Sequence, residues 1–165
     1  MTTFTDHAIR ARLTALHEEV MWLARRSDVT PSMARAWYTH VVAGRLSRQI
    51  RKFAGKVSQE AIANPDATLR LEHHARIQTK LTALVQAHLD RKRPRAQEFI
   101  RLVLDCENVH IVTFTENYAA MTHDGDYKLA GINLRSWRSI PKQRREVLWA
   151  KMLRGKVANA DSFAP

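Results

Sequence analysis

Residues 105–114 read Asp105-Cys106-Glu107-Asn108-Val109-His110-Ile111-Val112-Thr113-Phe114, and the texture of the chain changes there. Upstream, apolar residues recur at helical spacing. From Val109 to Phe114, β-branched side chains crowd together, which suits a strand because two branches on Cβ lose rotamer freedom against a helical turn. Downstream, Asp124-Gly125 is a turn signal, and Tyr127–Leu134 can return as a second strand, giving a β-hairpin over 109–134. The expected fold is mainly α: a helical N-terminal two-thirds with a small α+β C-terminal part.

The helical part is well signposted. Ile9, Leu13, Leu16, Val20 and Leu23 alternate steps of four and three, a two-heptad stripe, with Asp6 placed to cap the helix. Thr30 and Pro31 open a second helix as N-cap and first helical residue, with Met33, Trp37 and Val41 on its inner side. Leu46, Ile50, Phe53 and Val57 repeat the spacing after Gly44, and Asn64-Pro65-Asp66 makes a turn. A long helix is expected over 67–93, with Ile77, Leu81, Leu84 and Val85 along one side, and a further helix over 95–104 beyond Pro94. A last helix starts at Ser139-Ile-Pro141 and ends near Gly155, leaving 158–165 as a loose tail. The whole reads as a single domain, with 1–104 helical and 105–157 the α+β part.

The totals exclude several classes. The 165 residues suit one domain, and 45% apolar content with four tryptophans is too much for a disordered basic tail. Cys106 is the one cysteine, so no intramolecular disulfide is available, and the cytoplasm is the expected compartment. No leader pattern opens the chain, and no apolar stretch reaches the length of a membrane span, so no membrane contact is expected.

Charge points to the partner. Twenty-seven Lys and Arg against sixteen Asp and Glu leave +11, an excess that raises the local concentration of polyanions. The excess is clustered: Arg45, Arg48, Arg51, Lys52 and Lys56 lie within twelve residues, Arg91–Arg95 holds four more, and 135–156 holds eight against Glu146 alone. Residues 96–127 are net acidic. Arg48, Lys52 and Lys56 would form a row on one face of a helix, away from Ile50-Phe53-Val57. In the C-terminal cluster, rings and charges interleave, and tryptophan can stack on an unpaired base while arginine holds the backbone. The expected function is nucleic-acid binding (DNA or RNA) through phosphate contacts, without catalysis or cofactor. The residues that carry it are Arg45, Arg48, Lys52, Lys56, Arg135, Trp137, Arg138, Arg144 and Arg145. Trp149 is expected in the core and Trp137 nearer the surface.

Three arrangements of reactive residues compete with that reading. Asp105 and Glu107 ahead of the strand, then Asp126-Tyr-Lys128, resemble the core of the PD-(D/E)xK nucleases. That resemblance implies Mg²⁺ held by the acids and a lysine that orients water, although no proline precedes the first acid. His73-His74 with His123-Asp124 resemble the ligand order of HD-type phosphohydrolases, but His123-Asp124 enters a turn instead of continuing a helix. Cys106, His110 and His123 supply three zinc ligands and no fourth. Residues 30–54 have the outline of a helix-turn-helix, yet Arg45 after Gly44 and His40 before it fit poorly, and two core helices fit better. A further alternative is a helical adaptor that docks on an acidic protein, dimerising through the Ile9–Leu23 stripe. Finally, Trp37-Tyr-Thr-His-Val-Val-Ala-Gly-Arg-Leu-Ser47 resembles a segment of small helical proteins of phages and mobile elements; it carries no catalytic motif and implies no site residue.

Overall fold

A computed structural model describes residues 2–42, 46–73, 75–91 and 94–165, the side chains of 2–5 excepted. In chain order it contains α1 (Thr2–Ala24), α2 (Pro31–Val41), α3 (Ser47–Ile50), β1 (Lys52–Ser58), α4 (Gln59–Ala63) and β2 (Leu69–His73). These are followed by α5 (Ile77–Asp90), α6 (Ala96–Cys106), β3 (Asn108–Thr113), α7 (Phe114–Thr122), β4 (Leu134–Ser136) and α8 (Lys142–Leu148). Helix dominates and the strands form one small sheet, as the sequence implies. No helix among the described residues is long and apolar enough to cross a membrane.

The chain divides into two compact units, neither continuous in sequence: Met1–Ile50 with Ile77–Cys106, and Arg51–Arg76 with Glu107–Pro165. Residues 51–76, expected in the helical part, therefore belong with the sheet.

In the helical unit, the α1 stripe is core. Leu13, Leu16 and Val20 pack with Leu81 and Val85 of α5 and with Phe99, Ile100 and Val103 of α6, while Ile9 and Leu23 close the edge. That burial uses up the face proposed for dimerisation. Thr30 caps α2 as expected, its side chain accepting from the Met33 amide. The inner side of α2 is one residue out of phase with expectation: Ala34 and Tyr38, with Val42 beyond the helix end, are buried, whereas Met33, Trp37 and Val41 are exposed. Asp6 lies inside α1 and pairs with Arg10 instead of capping the helix.

A polar chain threads this core. His17 Nε2 lies 3.1 Å from His88 Nδ1, and His88 Nε2 lies 3.2 Å from a Glu98 oxygen. Glu98 only accepts, so His88 donates to it from Nε2, and a single proton lies between His88 Nδ1 and His17 Nε2. Burial first, then the neighbouring His88 and Arg25, push the His17 pKa down to about 4.

In the sheet unit the strand order is β2-β3-β1-β4, with β1 parallel to β3 and both outer pairings antiparallel. Four steps of β1 from Phe53 to Val57 oppose two of β3 from Val109 to Ile111, a bulge centred on Gly55 at φ +74°. One sheet face buries Phe53, Val57, Val109 and Ile111 under Trp137, Ile140, Leu148 and Leu153; the other packs Val112 against Ala120 and Ile132.

Several expectations change here. The helix read over 46–57 stops at Ile50 and continues as a strand, so the second helix of the helix-turn-helix outline is four residues long. The long helix over 67–93 splits, because Leu69-Arg-Leu-Glu-His73 alternates with period two and forms β2. No hairpin spans 109–134: β3 pairs with β1 and β2, and Tyr127–Gly131 is a series of turns. The strand ends at Thr113, which caps α7 in a reciprocal capping box with Glu116. Beyond α8, a π-helical turn, Trp149–Leu153, widens the helix so that Leu148, Met152 and Leu153 face inward together, which explains their scatter on a regular wheel.

The C-terminal tail is not loose. The Asn159 side chain accepts from Phe53 N at 2.8 Å and donates to Phe53 O at 3.0 Å, continuing the edge of β1 as a strand would. Phe163 packs edge-on against Phe53 with ring centroids 4.8 Å apart.

Two predictions follow from these packings. A Cβ on Gly55 would sit 3.3 Å from the Phe163 ring at a φ that L residues avoid, so Gly55→Ala should lower unfolding stability by about 1–2 kcal/mol. Urea titration measures this, and a variant as stable as wild type would refute the bulge geometry. His17 is held neutral by the fold, so its contribution is complete above pH 6.5 and is lost as pH falls toward 4. Melting temperature should drop across that window, and His17→Gln, which keeps a donor toward His88 but does not titrate, should show a smaller drop. Identical pH profiles would rule His17 out as the titrating group.

Candidate nucleic-acid interface

Beside β2, in the sheet unit, lies a cleft of about 540 Å³ lined by Arg51, Asp66–Leu71, Lys151, Met152 and Lys156. Four cations from three chain segments thus meet one carboxylate, Asp66. Each is positioned by ordinary local structure. Arg51 precedes β1, and its Nε donates to Glu107 Oε2 at 3.3 Å. Glu107 is buried, and the same oxygen lies 3.3 Å from His73 Nε2 on β2. Asp66 follows the Asn64-Pro65 turn, where the Asn64 side chain accepts from the Asp66 amide. Arg70 stands on β2 with its guanidinium 5.3 Å from the centroid of the Phe114 ring. Lys151 is on the π-helical turn, and its carbonyl accepts from Lys156 Nζ at 2.9 Å.

The structure disperses the residues expected to bind nucleic acid. Arg45 lies outside the described residues. Arg48 is exposed on α3 in the helical unit, whereas Lys52 and Lys56 are exposed on β1 in the sheet unit, so the helical row does not form. Lys52 and Lys56 instead share the β1 face that also carries Ala54. Arg135 and Arg138 are exposed, with Arg135 donating to Gln59. Arg144 is half-buried and donates to the carbonyls of Ala61 and Asn64, tying down the end of α4, and Arg145 is half-buried beside it in sequence. Trp137 is 4% exposed, edge-on to Phe53, while Trp149 is half-buried and donates to the Ala160 carbonyl. The expected order of the two tryptophans is reversed.

The acid-x-Lys pattern does not lie on a strand. Asp126 and Lys128 are exposed in the turns after α7, where Asp126 Oδ1 accepts from the Leu129 amide at 3.0 Å. Asp105 is exposed on the last turn of α6 in the helical unit, and Glu107 is committed to Arg51 and His73 in the sheet unit. His74 lies outside the described residues, His123 is exposed at the end of α7, and Asp124 pairs with Arg76 at 3.4 Å. Cys106 is buried at the end of α6, and His110 is buried on β3, edge-on to Tyr127. Among the described residues, no three His, Cys, Asp or Glu side chains gather as a metal would require.

The opposite sheet face holds a second cleft of about 400 Å³ lined by Ala54, Lys56, Asn108, His110, Tyr127 and Leu134. Burial, then the nearby carboxylates of Glu72 and Glu116, push the Tyr127 hydroxyl well above its usual range. Its lining holds one cation, Lys56, against the four beside β2. Sequence reasoning missed Arg70 because β2 was read as helix. Arg51, Lys151 and Lys156 lie within the charge clusters visible in the sequence, where nothing local distinguishes them from their neighbours.

Removing the Glu107 charge leaves Arg51 and His73 without the negative charge they share. Glu107→Gln should destabilise the fold by about 3 kcal/mol at neutral pH, whereas His73→Gln, at a more exposed position, should cost about 1 kcal/mol. Chemical unfolding checks both, and equal costs would mean that Glu107 is not the centre of the triad. Comparison with protein-family models, curated proteins and solved structures finds no match to this chain.

Proposed function

We propose that the protein is a non-enzymatic, cytoplasmic nucleic-acid-binding protein that grips the phosphate backbone along the β2 edge. One observation carries the reading: Arg51, Arg70, Lys151 and Lys156 line a single cleft in which Asp66 is the one carboxylate of the lining, with Arg51 paired to the buried Glu107 behind it. Each cation that neutralises a phosphate releases condensed counterions, so such a surface gives affinity that is insensitive to sequence and steeply dependent on salt. The exposed Lys52, Lys56, Arg135 and Arg138 add to the positive field of the same unit and steer the polyanion toward it. Asp66 and the buried Glu107 limit the local charge, so that the cations can coexist in one cleft.

The test is the salt dependence of binding. The triple change Arg70→Gln, Lys151→Gln, Lys156→Gln should flatten the plot of log K against log[salt] by about 2–3 units and weaken binding at low salt. The pair Lys52→Gln, Lys56→Gln should change the slope less. An unchanged slope in a folded triple variant would remove the β2 edge from the binding surface.

A further inference from the structure

The cleft does not end in charge. Phe114, the first residue of α7, donates its backbone amide to Thr68 O at 2.7 Å, which fixes it beside the cleft wall. The ring itself is 51% exposed, and Arg70, one of the cleft cations, lies against it. One turn along α7 comes Tyr118, 64% exposed, and then Met121, also exposed. Positions 114, 118 and 121 share a helix face, so two rings and a thioether form a row leading away from the cations. The helix still packs into the unit from its other side, through Ala120 against Val112 and Ile132. The exposed row is therefore not the residue of a loose helix, and its aromatic content has no use in the core.

Bases inside a duplex are stacked on each other and cannot lie on a protein ring, whereas those of a single strand can. Cations alone would suit either form. Cations continuous with exposed rings suit the single strand, because phosphates and bases then find partners at neighbouring points. We infer that the β2 edge and the exposed face of α7 form one surface for single-stranded nucleic acid, with phosphates held at Arg70, Lys151 and Lys156 and bases stacked on Phe114 and Tyr118. This deepens, and rests on, the phosphate-binding reading of the same cleft.

The experiment compares short labelled single strands of DNA and RNA with a duplex of the same sequence, using the full chain. Wild type should prefer at least one single strand to the duplex. Phe114→Ala and Tyr118→Ala should each weaken that binding by roughly 5- to 150-fold, the range that loss of one stacked base implies. Their duplex affinity and salt slope should not move, because no charge is lost. Tyr118→Phe should bind as wild type, and Tyr118→Leu should bind as Tyr118→Ala, which separates stacking from apolar contact. Circular dichroism confirms that the variants fold, as both side chains lie at the surface. Alanine variants that bind single strands like wild type would overturn the stacking surface, and so would a wild type that prefers duplex. The phosphate reading fails separately: it falls if the glutamine triple variant keeps the wild-type salt slope.

Discussion

The parallel pairing of β1 with β3 is the constraint on which the rest of the architecture depends. Parallel neighbours cannot be joined by a tight turn, so a long crossover must separate them in sequence. Here the crossover runs through α4, β2, α5 and α6, and it is why both units are discontinuous. The register that sets Lys52 opposite Asn108 and Phe53 opposite Val109 also brings the starts of β1 and β3 together, with Lys52 N donating to Glu107 O at 3.0 Å. Arg51 thereby finds the Glu107 carboxylate, and His73 reaches the same oxygen from β2. The positive edge of the sheet is a consequence of that register, since Arg51 and the β2 residues meet only when β3 lies between the two strands.

What the sequence disclosed, and what it concealed, follows from where periodicity runs without interruption. α1, α2, α6 and β3 each lie within one unit; the α1 stripe and the bounds of α6 and β3 read correctly or within a residue or two, while α1 begins ahead of Asp6 and the inner face of α2 is a residue out of phase. The Leu46-Ile50-Phe53-Val57 spacing misleads because Ile50 belongs to the helical core, while Phe53 and Val57 belong to the sheet core. Its regularity is a coincidence across a boundary. Leu69 and Leu71 carry a genuine alternation, but only five residues long and close ahead of a strong helix. Thr113-Phe-Thr-Glu116 is a legible capping box, and reading the strand through Phe114 hides it. The interface suffered accordingly: its cations come from three segments, and no local pattern links Arg70 to Lys151. Trp137 was misjudged because flanking arginines say nothing about where the ring between them points.

An outer strand that leaves backbone groups unpaired invites another strand, and proteins blunt such edges with charge. β2 does so with Arg70 and with the cations gathered beside it. On the proposed function, the same residues serve two ends: they discourage edge-to-edge association between copies and offer a polyanion a groove. β4 leaves β1 exposed beyond Lys56, and there the protein covers the edge with the amide of Asn159 instead.

That use of Asn159, with Phe163 seated on Gly55 and Phe53, places an essential part of the first strand's surroundings within the last seven residues of the sequence. During synthesis, β1 emerges from the ribosome roughly a hundred residues ahead of the groups that will complete it, about 5–20 seconds by ordinary elongation rates. Throughout that interval its apolar face has no permanent cover. A chain that stops short of Asn159, or is cut there by a peptidase, would lack the seal on β1 and so undermine the strand that Arg51 and Glu107 join.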